Sequence, residues 1–427
     1  MLDLRRIRED PEPARAALAR RGAAEALDAV LAVDARRREL LPRIESGRAR
    51  RNRVSQAIAE AKRSGADADA QIAEMRELGA DIKRLEAELA EVEAKRDELA
   101  ARLPNLPDPA APEGDTDEDA VTLREVGEPP AFGFEVRDHL DLGLAHGWIE
   151  MEKAGSASGS RFAYLRGDLV LVQLALVRLA SDRARGAGFE LVVPPVLVRE
   201  GPLFGTGFFP VEREMIYEVE RDELFLVGTS EVSLAALCAG EIVAREDLPR
   251  RYCGISTCFR REAGAAGKDT RGIFRVHQFD KVEMFSFVEP EASPAEHERL
   301  LSIQERILGD LEIPYRVVDI PVGELGASAA RKFDCEAWIP SQGRHREVTS
   351  CSNTTDYQAR RLDCRYRPEP DASPVHVHTL NGTAIAVGRT IIALLENHQR
   401  EDGSVTIPGA LVEAGAPELI GDEPPTR

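Results

Sequence analysis

Two kinds of apolar spacing divide the chain. From Leu27 to Leu103 the sequence holds no aromatic residue, and its hydrophobic side chains recur at steps of three and four. In the later part of that stretch Ile82, Leu85, Leu89, Val92, Leu99 and Leu103 form a heptad-like stripe, with Arg96 in the one polar slot. Val33, Leu40, Ile44, Val54 and Ile58 hold the same phase more loosely in the earlier part. Between them, Ser64-Gly65-Ala66-Asp67 supplies a reversal, with Gly65 suited to closing one helix and Asp67 to capping the next. These positions predict an antiparallel helical hairpin with about 36 residues per helix, roughly 50–55 Å long at 1.5 Å per residue.

The second spacing is the alternation of a strand. Cys258-Phe259-Arg260-Arg261-Glu262-Ala263-Gly264 leads through a glycine-punctuated loop and Thr270-Arg271-Gly272 into the run from Phe274 to Phe285. Two alternating runs around a polar loop predict an antiparallel β-hairpin. Arg260 and Glu262, two apart, would share a face of the first strand. Arg275, Phe279 and Glu283, spaced by four, would share a face of the return strand. One wall would then carry arginines for phosphate, a flat ring for a base and carboxylates for amino groups. That combination points to a nucleotide site that also holds a small amine.

The 427 residues exceed one ordinary domain and suit a small module plus a large one. Pro104-Asn105-Leu106-Pro107-Asp108-Pro109 breaks the helical pattern, and the acidic run to Pro130 reads as a linker. The expected division is a helical arm over 1–104, a linker over 105–130 and a larger domain over 131–427. Mixed strand and helix patterns from Ala131 onward make the fold α+β, an antiparallel sheet flanked by helices.

A net charge of −19 argues against indiscriminate coating of nucleic acid but leaves room for a local basic patch. Such a patch is visible on the hairpin. Arg36, Arg37, Arg38, Arg43, Arg48, Arg50, Arg51 and Arg53 load its first helix, while Glu74, Glu77, Glu86, Glu88, Glu91 and Glu93 load the second. Simple pairing across the seam is the plain alternative to nucleic-acid contact. A surplus of arginine on a protruding rod suits phosphate backbone. The six cysteines show no C-x-x-C pair and no spacing typical of zinc. Charges at the N-terminus and the lack of a long apolar run predict a reduced, cytoplasmic protein with no membrane segment.

The hairpin residues resemble motif 2 of the class II aminoacyl-tRNA synthetases, and in detail the seryl-tRNA synthetase family. The likeness extends in order through Gly205-Thr206-Gly207, Thr229-Ser230-Glu231-Val232, Phe333-Asp334-Cys335-Glu336-Ala337-Trp338, Arg346-Glu347-Val348-Thr349-Ser350-Cys351-Ser352-Asn353 and Thr379-Leu380-Asn381-Gly382-Thr383 to Glu396-Asn397. It covers essentially the whole chain. Two departures stand out: Ser230 where the family usually has alanine, and Ala384 where it usually has glycine.

This resemblance implies a ligase that activates L-serine with Mg·ATP and passes it to tRNA(Ser), and to tRNA(Sec) where that acceptor occurs. It assigns catalytic roles to Arg260, Glu283 and Arg389. Serine would meet Thr229, Ser230, Glu231, Arg260, Glu283, Asn381 and Thr383. ATP would meet Arg260, Arg261, Glu262, Arg275, Val276, Phe279, Glu347, Val348, Thr349, Ser350 and Arg389. Glu347 and Ser350 would hold Mg²⁺, with Glu347 pairing to Arg344, Arg346, Arg360 or Arg361 as the structural alternative. The tRNA would meet Arg36, Arg43, Arg48, Arg50, Arg51 and Arg53. The helix from Leu169 to Arg185 and the strand Gly188–Pro195 resemble motif 1 and imply a homodimer. Two rivals are a paralogue that charges a carrier protein, which has no need of the arm, and an inactive scaffold, which has no need of Arg260, Glu262, Glu283, Glu347 and Arg389.

Overall fold

A computed structural model describes residues 1–263, 267 and 269–421; Gly264 of the quoted hairpin run lies outside them. The chain divides into two compact units, residues 2–103 and residues 104–427 together with Met1.

In the smaller unit, short helices α1 (Leu4–Glu9) and α2 (Pro11–Ala19) precede α3 (Ala24–Ser64) and α4 (Asp69–Arg102). α3 closes on Gly65 at φ 72°, a left-handed conformation that glycine adopts without the Cβ clash. The Asp69 N–H donates to Asp67 Oδ1 at 2.9 Å. The 41 residues of α3 exceed expectation and span about 61 Å, while the 34 of α4 span about 51 Å. Leu40, Ile44 and Leu85 form the buried seam, with Leu89 and Val92 packed against them. Pro42 lies inside α3 although proline removes a helical hydrogen bond; the seam contacts of Leu40 and Ile44 on either side hold that turn. Asp34, also buried, is neutralised by Arg8 at 2.9 Å and Arg38 at 3.5 Å.

The larger unit is built on eight strands: β1 (Val121–Val126), β2 (Glu190–Val192), β3 (Arg250–Phe259), β4 (Gln278–Val288), β5 (Tyr315–Asp319), β6 (Arg331–Ile339), β7 (Arg344–Asn353) and β8 (His378–Ala386). Their order is β1-β5-β6-β7-β8-β4-β3-β2, antiparallel throughout except for the β2–β3 pair. The helices that frame it are α5 (Asp168–Gly186), α6 (Glu231–Ala235), α7 (Ser293–Asp310) and α8 (Val387–Asn397). Apolar residues of α5, α7 and α8 join those of the strands in one core. The predicted β-hairpin is present, with Gln278 opposite Phe259 and Phe285 opposite Tyr252.

The stretch expected to be a linker is part of this unit. Asn105 donates to the Ser328 and Thr354 carbonyls at 2.9 and 2.8 Å, and β1 is an edge strand of the main sheet. Its prolines and acids masked the short alternating run Val121–Val126, whose side chains are all exposed.

Candidate active site

The hairpin, β7, β8 and the start of α8 line one cavity that is open to solvent on one side. β3 ends at Phe259, so Arg260 and Glu262 lie just beyond it, and Arg275 lies in the loop before β4. Regular strand alternation therefore does not place these three; the loop brings them to the cavity. Arg260 donates from Nε to the Gly228 carbonyl at 3.1 Å, and its guanidinium stands 5.4 Å over the Phe279 ring. Arg275 reaches Glu262 at 2.6 Å. Its Nε is buried without a hydrogen-bond partner among the described residues, and the Asp269 carboxylate stands 3.8 Å away. A buried guanidinium N–H left unpaired suits an incoming anion.

Phe274, which sequence reasoning passed over, lies between two guanidiniums, Arg346 at 3.9 Å and Arg389 at 4.7 Å. Arg261 does not line the cavity: it is exposed and turned to Tyr217, 6.0 Å from the ring. Val276 does line it.

Acidic and hydroxyl groups gather at another part of the cavity. Thr383 Oγ1 donates to Glu283 Oε2 at 2.9 Å. Asn381 Nδ2 donates to Glu231 Oε2 at 3.2 Å and meets Glu283 Oε1 at 3.5 Å. Gln358 donates to Glu231 Oε1 at 2.7 Å. Burial pushes the Glu231 carboxyl up to about 7; Glu283 adds to the shift, while Gln358 and Lys281 oppose it. Lys281 was also missed, although it shares the strand parity of Phe279 and Glu283. Its Nζ lies 2.6 Å from Glu283 Oε2 and 2.8 Å from Thr229 Oγ1.

Ser230 belongs elsewhere. Its hydroxyl is buried without a hydrogen-bond partner among the described residues, and a Cβ on Gly254 would come within 2.9 Å of it, so it packs on β3. Ala384 sits in the hydrophobic core and is not among the residues that line the cavity.

Glu347 and Ser350, three apart, would point to opposite faces of a regular strand. A bulge resolves this. Glu336 pairs with Glu347 and Cys335 with Thr349, leaving Val348 as the extra residue of β7. All four residues from Glu347 to Ser350 line the cavity. Glu347 pairs with Arg389, at 3.4 Å, and not with the arginines expected as alternatives. Burial works to raise the Glu347 carboxyl, but Arg389, Lys332 and Arg260 override it and hold it at about 2. One permanently ionised carboxylate beside a hydroxyl fits a hard Mg²⁺ that keeps its other ligands from water and phosphate. No group of three or more metal-binding side chains occurs among the described residues.

Arg38 pairs within its own helix with Asp34, and the other arm arginines fall into two sets. Arg36, Arg37, Arg48 and Arg50 pair across the seam with Glu88, Glu93, Glu86 and Glu74. Arg43, Arg51 and Arg53 are exposed and have no carboxylate partner among the described residues. The surplus is therefore real but smaller than the sequence suggested.

Comparison with known proteins places both units. Residues 1–107 match the family described as the seryl-tRNA synthetase N-terminal domain, and residues 214–398 match the tRNA synthetase class II core domain (G, H, P, S and T). The chain is 52% identical to the serine–tRNA ligase of Acidothermus cellulolyticus, over 96% of this chain and 97% of that one. It is 51% identical to that of Rubrobacter xylanophilus, over 99% of each. The crystal structure of seryl-tRNA synthetase from Pyrococcus horikoshii complexed with ATP superposes with a TM-score of 0.93 at 42% identity, covering 100% of both chains.

Proposed function

The chain belongs to the seryl-tRNA synthetases, class II ligases that activate serine with ATP and transfer it to tRNA, and we propose how its residues divide that work. The serine carboxylate attacks the α-phosphate of ATP and pyrophosphate leaves. A terminal ribose hydroxyl of tRNA(Ser) then attacks the seryl carbonyl and AMP leaves. Both nucleophiles belong to substrates, so the protein contributes position and charge.

Arg260 holds the serine carboxylate and the α-phosphate together through its planar fork. Phe279 stacks on the adenine, Glu262 accepts from its amino group and Arg389 covers the other face. Arg275 takes the γ-phosphate end, which its buried Nε, without a hydrogen-bond partner among the described residues, supports. Glu347 and Ser350 would hold a Mg²⁺ that arrives with ATP and neutralises phosphate charge. Glu231 and Glu283 receive the serine ammonium and hydroxyl, with Thr229, Asn381 and Thr383 orienting them. Arg261 and Ser230, which lie off the cavity, are left out of these sets.

The observation that carries this division is the meeting in one cavity of Arg260 with the hydroxyl–carboxylate pair Thr383–Glu283. Arg260→Ala tests it by ATP–pyrophosphate exchange. A loss of about 10²–10³-fold in kcat is expected, equivalent to ~3–4 kcal/mol of transition-state stabilisation, with an unchanged thermal transition. Exchange near that of the wild type would make Arg260 a structural residue.

The arm grips tRNA through Arg43, Arg51 and Arg53, and the α5–β2 surface joins two copies. Six free, buried thiols fit the reducing cytoplasm, a location that cell fractionation checks.

A further inference from the structure

We infer that Lys281 is a positioning residue for serine selection, fixing Glu283 as a group that only accepts hydrogen bonds. The inference rests on the reading of the serine pocket given above.

Lys281 is 6% exposed, and its ammonium sits against Glu283 Oε2 at 2.6 Å and Thr229 Oγ1 at 2.8 Å. Thr383 donates to the same Oε2. Among the described residues Oε1 is left with Asn381 alone, at 3.5 Å, and so has accepting capacity to spare. A carboxylate fixed by a cation has no hydrogen to give, so it rewards a substrate hydroxyl and leaves a methyl group unpaired. Alanine is thereby disfavoured more strongly than shape alone would manage.

Charge counting leads to the same residue. Glu231 and Glu283 share the amide of Asn381, and two buried carboxylates this close need a counter-charge to ionise together. Arg260, another cation lining the cavity, is engaged at the Gly228 carbonyl and over Phe279. Of the other groups acting on this cluster, Glu212 adds negative charge towards Glu231, Cys258 faces Lys281 from β3, and Gln358 is neutral. Lys281 leaves room for one further positive charge, that of the substrate ammonium. Without Lys281 the proton held by Glu231 would persist to higher pH, and passing to Glu283 it would let that group donate as well as accept.

The test is ATP–pyrophosphate exchange with serine and with alanine, over roughly pH 6 to 9, for the wild type, Lys281→Met and Lys281→Arg. In Lys281→Met the serine KM should rise, and the preference for serine over alanine should fall, each about tenfold or more, with the ATP KM little changed. The acid limb of kcat/KM for serine should move up by about one pH unit, and Lys281→Arg should recover much of the preference. An unchanged preference and pH profile in Lys281→Met would overturn the inference. So would serine and ATP KM rising together with a lowered Tm. If Lys281→Met does not fold, Lys281→Met/Glu283→Gln is compared with Glu283→Gln. Acting through Glu283, the lysine change should add little in that background, and a full further loss would overturn the inference. Wild-type enzyme that fails to prefer serine would instead sink the pocket reading on which it rests.

Discussion

Glu231 illustrates how surroundings set a side chain's chemistry. Its carboxyl near 7 lies above the ordinary 4.5, so the folded protein keeps a proton that the unfolded chain has released between those values. Stability from this group is therefore complete below about pH 4.5 and is lost as pH rises through 7. The ionised form is the one a substrate ammonium needs, so serine KM should fall as pH rises through 7. Glu231→Gln should flatten both dependences: thermal unfolding at pH 8 should move up relative to wild type, and serine KM should rise about 10–100-fold, the worth of a charge-assisted hydrogen bond of ~1.5–3 kcal/mol. An unchanged serine KM would remove Glu231 from the pocket. Most of the lining could be read from ordered motifs, because residue types such as Arg260, Glu283 and Thr383 announce phosphate, ammonium and hydroxyl chemistry. Partnerships could not. The Arg275–Glu262 and Lys281–Glu283 pairs depend on loop and register geometry, and Ser230 shows that adjacency to ligands does not aim a side chain at them.

Two devices in the elements shape the site and the arm. The Val348 bulge puts Glu347 and Ser350 on one face, and a second bulge in β8, at Ala384, places Thr383 opposite Glu283. Neither could be read from alternation, because one inserted residue reverses the phase of all that follow. The heptad-like stripe, by contrast, set both arm helices and their reversal, since 3.6-residue periodicity survives occasional polar positions such as Asp34. What that stripe could not give was the pairing of each arginine. The structure now separates them. Arg51→Gln/Arg53→Gln should raise the tRNA KM and make tRNA binding less dependent on salt, with a slope smaller by about one to two, while serine-dependent exchange stays near wild type. Arg48→Gln/Arg50→Gln should do less to tRNA, because those side chains are already paired. Equal effects of the two double variants would refute the division; loss of exchange in either would mean that the arm supports the catalytic unit.

Taken as one chain, the architecture also leaves apolar surface uncovered. On α5 and just beyond β2, Leu171, Leu174 and Val193 are exposed, Val193 by 84%, and β2 ends the main sheet. Exposed apolar side chains beside the end of the main sheet suit a second copy of the chain. Sedimentation should show a dimer, and Leu174→Glu should shift it to monomer; a wild-type monomer at micromolar concentration would end that proposal. The activity itself is best examined through the amino-acid dependence of ATP–pyrophosphate exchange by wild-type protein, with and without Mg²⁺, followed by charging of tRNA(Ser). Serine should support exchange about 10²-fold or more above alanine, as a site with polar groups matched to a hydroxyl requires, and only when Mg²⁺ is present. Alanine matching serine, or exchange persisting without a divalent cation, would contradict the assignment of Glu283, Thr383, Glu347 and Ser350.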